Sequence, residues 1–386
     1  MLAERATILT PSLTLSIDSK AKAMKAEGID VCGFGAGEPD FDTPEHIKVA
    51  AQAAIEQGFT KYTASSGIPE LRQAVADKFK VDNGVDYKST QIVVSNGAKH
   101  SCYNAILATV QPGDEVVIPS PYWLSYPEMV RLAGGEPVFV QTKEENGWKM
   151  TPDEFQDAMT PRTKMVIMNS PNNPTGAVYT REELEAIVEV AAGEDILILS
   201  DEIYEKLIYD DAKHVSIASL SKEAYDLTIT VNGFSKSYAM TGWRLGYLGA
   251  PEGIAKAVDA IQSHSTSNPC SFAQKGALAA LKGDQTPVED MRAEFDLRRN
   301  YMVQRLATID RVSVVAPKGA FYVLANISRL GLSSPNFADR MLSKHHVAVV
   351  PGVAFGNDGT VRLSYATSLD IIKKGLDRFE EFCRTL

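Results

Sequence analysis

With 386 residues, 44% of them hydrophobic and 23% charged, the chain can bury a sizeable core and reads as an ordinary globular protein of more than one domain. A formal net charge of −10 argues against nucleic acid and anionic membrane surfaces as partners, while leaving room for a local cationic pocket and a small anionic substrate. None of Cys32, Cys102, Cys270 and Cys383 is paired at metal-ligand spacing, which points to free thiols in a reducing compartment and to no metal. Met1-Leu2-Ala3-Glu4-Arg5 lacks an apolar signal core and no run approaches membrane-spanning length, so the cytoplasm is the expected location.

In chain order, an irregular Pro11-containing arm precedes an expected helix from Ser16 to Glu27, closed by Gly28, and a short strand over Ile29–Phe34. Gly35-Ala36-Gly37-Glu38-Pro39-Asp40-Phe41 is a glycine-rich turn in which backbone amides can approach a ligand, although such a pattern is more often only a tight turn. Thr43-Pro44 opens a helix with proline at its first position, and Pro69–Lys80 is a second helix. Gln91–Ser95 reads as a buried strand running into Asn96-Gly97-Ala98-Lys99 and a further helix. That arrangement offers free N–H groups and a positive dipole end to a phosphate, though the spacing is not that of a P-loop.

Strands follow at Glu115–Ile118, Lys164–Met168, Ile196–Ser200, Leu227–Val231 and Leu245–Ala250, separated by helices, two of them opened by capping boxes at Thr151 and Thr180. Short apolar strands without in–out alternation predict an α/β fold: a mostly parallel sheet with helices on both faces, plus a smaller α+β domain containing strands near Val312–Val315 and Phe321–Leu324. Ligand sites in such sheets lie beyond the strand ends, where Gly97, Asn173, Asp201 and Lys236 all fall. Lys236 stands in a turn between two buried strands. Burial favours the neutral amine that condenses with an aldehyde, while a solvated cation in a surface turn is the plainer alternative.

The motifs taken together resemble the pyridoxal-phosphate-dependent aminotransferases of fold type I, in the bacterial-type branch of aspartate aminotransferases. The matching stretches are Ala36–Phe41, Ser120-Pro121-Tyr122-Trp123, Asn169–Gly176, Ser200–Tyr204, Ser235-Lys236 with Gly242-Trp243-Arg244, and Val361–Ala366, in family order over nearly the whole chain. The resemblance implies pyridoxal phosphate bound as a Schiff base to Lys236, which then shuttles the substrate proton. It implies Asp201 on the pyridinium nitrogen, Tyr204 and Asn173 on the phenolic oxygen and Trp123 stacked on the ring. Gly97 and Ala98 amides, Ser235 and Arg244 would hold the phosphate, with Tyr62 reaching it across a homodimer interface. Arg362 and Gly37 would grip the substrate α-carboxylate.

For the distal carboxylate one branch uses a partner arginine in the stretch Gln262–Pro269, where this chain has none; the branch resembled here implies Lys99 with Ser12 and Thr14. Thr10 stands where relatives that take prephenate have lysine, which makes prephenate a less expected substrate. The expected domains are an arm with part of the small domain over residues 1–46, a cofactor domain over 47–282 and a C-terminal small domain over 283–386. The expected activity is amino transfer between L-aspartate and 2-oxoglutarate. Alternatives are a broad-range or aromatic aminotransferase, then a cysteine-conjugate β-lyase; a regulator built on an inactive domain lacks an appended DNA-binding segment.

Overall fold

A computed structural model describes residues 2–10 and 13–386. Its main sheet has seven strands, ordered Ile92–Ser95, Gly246–Gly249, Thr228–Gly233, Leu197–Asp201, Thr163–Asn169, Glu115–Ser120 and Glu136–Gln141. Gly246–Gly249 runs antiparallel to both neighbours and the remaining pairings are parallel. Every residue of Ile92–Ser95, Thr228–Gly233 and Gly246–Gly249 is buried, the outcome of helices covering both faces and the reason these runs lack alternation. Glu136–Gln141, an edge strand whose Glu136, Phe139 and Gln141 are exposed, lacks the fully buried run that marks the inner strands.

Parallel register brings Asn169 opposite Asp201 and Asp201 opposite Val231, so neighbouring strands end together along one edge. The helix Ala98–Thr109 starts at that edge after Gly97, whose φ of 90° lets the chain turn sharply out of the strand. The capping boxes at Thr151 and Thr180 form as their sequences require. Pro44 is the cap of Glu45–Glu56 rather than its first helical residue, its extended ψ of 141° placing it just outside the helix. The first long helix spans Leu13–Ala26, three residues earlier at its start than the sequence suggests.

Four short strands, Val350–Pro351, Thr360–Ser364, Tyr322–Asn326 and Ser313–Val314, form a separate antiparallel sheet. Its core also takes in Cys32 and Phe34 from the beginning of the chain and Phe379 and Phe382 from the last helix, Leu369–Arg384. The strand expected over Ile29–Phe34 shrinks to Cys32–Gly33, paired in parallel with Val347–Ala348. Just before it, Asp30 is held by Lys374 and Arg378, so side-chain ion pairs replace ladder bonds there. Among the described residues no helix is long and apolar enough to cross a membrane.

Candidate active site

The strand ends open on a cavity of about 740 Å³. Asp201 closes its strand at 4% exposure, in a place where a carboxylate loses most of its hydration. Burial raises its pKa to about 6, against the opposing donation of the Tyr126 hydroxyl to Oδ2 at 2.8 Å and of the Ile203 amide to Oδ1 at 3.2 Å. Tyr126 is itself wedged edge-on against Trp123, ring centroids 5.2 Å apart. The free thiol of Cys102 points at the same carboxylate from 3.8 Å.

A relay of hydrogen bonds fixes the next turn. Asn169 Nδ2 donates to the Asp201 carbonyl at 2.9 Å, its Oδ1 accepts the Asn173 amide at 2.9 Å, and Asn173 is thereby aimed into the cavity. Tyr204, buried beside Asp201, shares a hydroxyl–hydroxyl hydrogen bond of 3.0 Å with Tyr322. Burial raises both phenol pKa values, which keeps both oxygens protonated and able to donate.

Lys236 projects from the turn between Thr228–Gly233 and Gly246–Gly249, half-buried, its ammonium donating to the Gly37 carbonyl. Loss of water around Nζ draws its pKa down to about 8, with Arg362 and Arg244 adding to the fall and Glu38 and Asp201 opposing it. A lysine poised there exchanges its proton near neutral pH, unlike the solvated cation of the alternative reading.

One wall of the cavity is an anion cradle. The helix Ala98–Thr109 has no side-chain cap, so its first N–H groups and positive dipole end remain available to a ligand. Two close approaches of backbone shape the cradle. A Cβ at Gly97 would lie 2.4 Å from Arg244 Nη2, and one at Gly246 would lie 2.2 Å from the Ala98 nitrogen. Arg244 is anchored by donating from Nη1 to the Thr241 carbonyl at 2.9 Å, and Ser235 lines the same wall.

Opposite stands Arg362, 2% exposed on the strand Thr360–Ser364. It donates from Nη1 to Asn173 Oδ1 and from Nη2 to the Gly35 carbonyl, each at 2.9 Å, and packs over Tyr322 at 4.4 Å and Phe355 at 5.0 Å. Among the described residues its buried Nε has no hydrogen-bond partner and no carboxylate neutralises it, which is costly unless an anionic ligand arrives. Thr14 Oγ1, on the helix that crosses the cavity, is likewise buried without a partner.

Thirteen of the residues singled out from the sequence thus meet here: Gly37, Gly97, Ala98, Lys99, Trp123, Asn173, Asp201, Tyr204, Ser235, Lys236, Arg244, Arg362 and Thr14. Lys99 lies at the rim with Nζ 4.9 Å from the Trp123 ring centre. Tyr62 does not join them; it is 90% exposed on the surface. Ser12 lies outside the described residues. Tyr126, Cys102, Tyr322 and Glu38 were not singled out, because their importance rests on partners distant in sequence. Glu202, Glu205 and His214 cluster beneath the site; Ser200 and Ser216 donate to Glu202, Lys78 and Asn83 to Glu205, and His214 Nε2 lies 3.0 Å from Glu202, which makes them an ion-pair network holding the Asp201–Glu205 segment.

Residues 29–379 match the family "Aminotransferase class I and II". The chain is 50% identical to an aspartate aminotransferase of Bacillus subtilis, over 99% of this chain and 98% of that one. It is 48% identical to an aspartate/prephenate aminotransferase of Cereibacter sphaeroides, over 97% of each. An aspartate aminotransferase from Thermus thermophilus solved with maleate superposes with a TM-score of 0.96 at 44% identity, covering 99% of both chains.

Proposed function

The chain belongs to the class I and II aminotransferases, a family that in general depends on pyridoxal phosphate, and from that premise we propose that it moves the amino group of L-aspartate to 2-oxoglutarate in a ping-pong cycle. The observation that carries the reading is Arg362, a buried, unneutralised guanidinium with an unpartnered Nε, facing the same cavity as a lysine of lowered pKa. Names of relatives support aspartate as the donor, and the maleate complex of the Thermus relative supports a dicarboxylate pocket.

Pyridoxal phosphate fits the residues present. Its phosphate matches the uncapped helix start, Ser235 and Arg244, and the two glycines let Arg244 and the backbone at Ala98 pack closely enough to form that cradle. Its aldehyde matches Lys236, its phenolic oxygen Tyr204 and the Nδ2 of Asn173, its ring nitrogen Asp201, and its ring face Trp123. When bound, this group supplies an electron sink for the carbanion at the substrate Cα.

The chain's own residues do the rest. Asp201 places a negative charge at the cavity floor and Tyr126 holds it in orientation. Arg362 takes the α-carboxylate in a two-point grip beside the Gly37 backbone, which fixes the Cα relative to Lys236. Lys236 Nζ accepts and returns the proton, a role its pKa near 8 suits. Lys99 and Thr14 face the distal carboxylate, with Ser12 as a third contributor. Exposed Tyr62 is suited to completing the cradle of a second copy, so the functional unit is a homodimer with shared sites.

The division into residues 1–46, 47–282 and 283–386 is supported by the sheet topology, since Cys32–Gly33 pairs with Val347–Ala348 in a two-stranded sheet of their own rather than with the seven-stranded sheet. All four cysteines are free, which supports a reducing compartment such as the cytoplasm. The test is spectroscopic: candidate amino acids are added singly to the loaded enzyme while conversion of the bound group to pyridoxamine phosphate is followed. Rapid conversion by aspartate and glutamate, reversed by their keto acids, supports the reading. Faster conversion by aromatic amino acids would replace it with an aromatic specificity, and release of pyruvate and ammonia from cysteine conjugates with a β-lyase.

A further inference from the structure

Four charged side chains surround Lys236 on the cavity side: Arg362 from the small sheet, Arg244 from the anion cradle, Asp201 from the strand end and Glu38 from the glycine-rich turn. The proposed chemistry gives a task to the first three and none to Glu38. Yet Glu38 is held in place. Its Oε2 accepts the Thr241 hydroxyl at 2.7 Å, and the Thr241 carbonyl accepts Arg244 Nη1 at 2.9 Å. Lys236 donates to the carbonyl of Gly37, one residue away in the same turn. The other charged side chains lining the cavity are Lys22, paired with Asp18 at 2.8 Å on the helix that crosses it, Lys99 at the rim, and Glu128, paired with Arg131 at 2.8 Å. The remaining ionisable neighbours, Tyr204 and Tyr322, stay neutral.

Resting on the function proposed above, we infer that Glu38, clamped by Thr241, is a positioning residue for the proton on Lys236, its carboxylate offsetting the guanidinium charges of Arg362 and Arg244. Two guanidiniums beside an amine repel its proton, and a carboxylate fixed in the same cavity retains it. Glu38 lines the same cavity as Lys236, whose ammonium reaches the carbonyl of the adjacent Gly37, so its negative charge opposes the loss of the proton that burial and the two arginines favour. When a substrate carboxylate settles on Arg362, one of the repelling charges is neutralised while Glu38 stays. Substrate arrival therefore raises the proton affinity of the lysine nitrogen, and the size of that rise depends on what Glu38 has already offset. Because Glu38 is exposed, its influence is screened by salt.

The experiment titrates, against pH, the visible absorption of the lysine-bound cofactor in the loaded enzyme. Glu38→Gln removes the charge and keeps an oxygen to accept from Thr241, so it separates charge from tether. Its midpoint is expected to fall by about half a pH unit or more, and Glu38→Ala should do the same. Thr241→Val keeps the charge but frees it, giving a smaller fall, and Thr241→Ser restores the parent midpoint. Raising the salt concentration should shrink the gap between parent and Glu38→Gln. Midpoints that coincide in the parent, Glu38→Gln and Glu38→Ala, all fully loaded, overturn the inference. A parent protein with no lysine-bound chromophore overturns the reading of Lys236 itself, a failure that is seen before any variant is made.

Discussion

Arg362 donates from Nη1 to Asn173 Oδ1 at 2.9 Å, joining two buried side chains 189 residues apart in the sequence into one hydrogen-bonded unit. Asn173 therefore has its amide nitrogen left over for a ligand while its oxygen orients the guanidinium. Arg362→Lys should weaken all amino-acid substrates alike, by about ten- to a thousandfold in kcat/KM, because an ammonium cannot reproduce the planar two-point contact. Parallel kcat/KM measurements with aspartate and phenylalanine check this; a loss confined to dicarboxylates would put Arg362 at the wrong end of the substrate.

Lys99 should show the opposite pattern. Its ammonium hovers over Trp123, and among the described residues no carboxylate pairs with it. If it meets the distal carboxylate, Lys99→Ala should lower kcat/KM for aspartate and glutamate by about 30-fold or more, the loss of about 2 kcal/mol or above for a charge pair. Phenylalanine should hold steady. Equal losses at saturating cofactor would instead make Lys99 a support of the anion cradle.

Tyr126→Phe removes the first of the donors that oppose the rise of Asp201's pKa, which even with them reaches about 6. Without it the pKa climbs further, and more of the carboxyl is protonated at neutral pH. A hydrogen bond to a charged group is worth about 1.5–3 kcal/mol, so pyridoxal phosphate should bind about ten- to a hundredfold more weakly. Equilibrium dialysis measures this directly. In an Asp201→Asn background the same substitution should change affinity little, because the charge it serves is gone.

Acid stability tests the network beneath the site. Burial alone would raise the pKa of Glu205, but Lys78 above all, with His214 and Asn83, brings it down to about 2. A depressed carboxylate pKa stabilises the fold above the ordinary value of 4.5, and that stabilisation drains away as pH falls from there toward 2. Lys78→Met should thus cost about 3–5 kcal/mol at pH 7, seen as a lower thermal midpoint. The gap between parent and variant should narrow below pH 4.5, as Glu205 takes up a proton and no longer needs a partner.

The parts of this site legible in the sequence are those that local chemistry announces. Asp201, Asn173 and Lys236 each follow an apolar run that can only be a buried strand, and the ends of parallel strands are where ligands gather. Gly97 is legible for the same reason, as a small residue between strand and helix. Tyr126 is not. It lies within Ser125–Leu132, where its neighbours say only that it is buried, and its link to Asp201 spans 75 residues. Tyr322 and Glu38 are silent on the same grounds. The strand over Ile29–Phe34 is shorter than its apolar pattern suggests because Cys32 and Phe34 pack into the small-sheet core and Val31 against Ala21 and Leu342, without a long partner strand beside them.

The contact between Arg362 Nη2 and the Gly35 carbonyl joins residues 327 positions apart, nearly the full span of the chain. Bringing residues so far apart together costs more loop-closure entropy than a local contact does, though that cost grows only slowly with separation. The anion cradle, by contrast, is assembled from Gly97 through Gly246 and needs neither terminus. The seat for a phosphate is thus drawn from the middle of the chain alone, while the grip on a carboxylate requires the last part of the chain to meet the first.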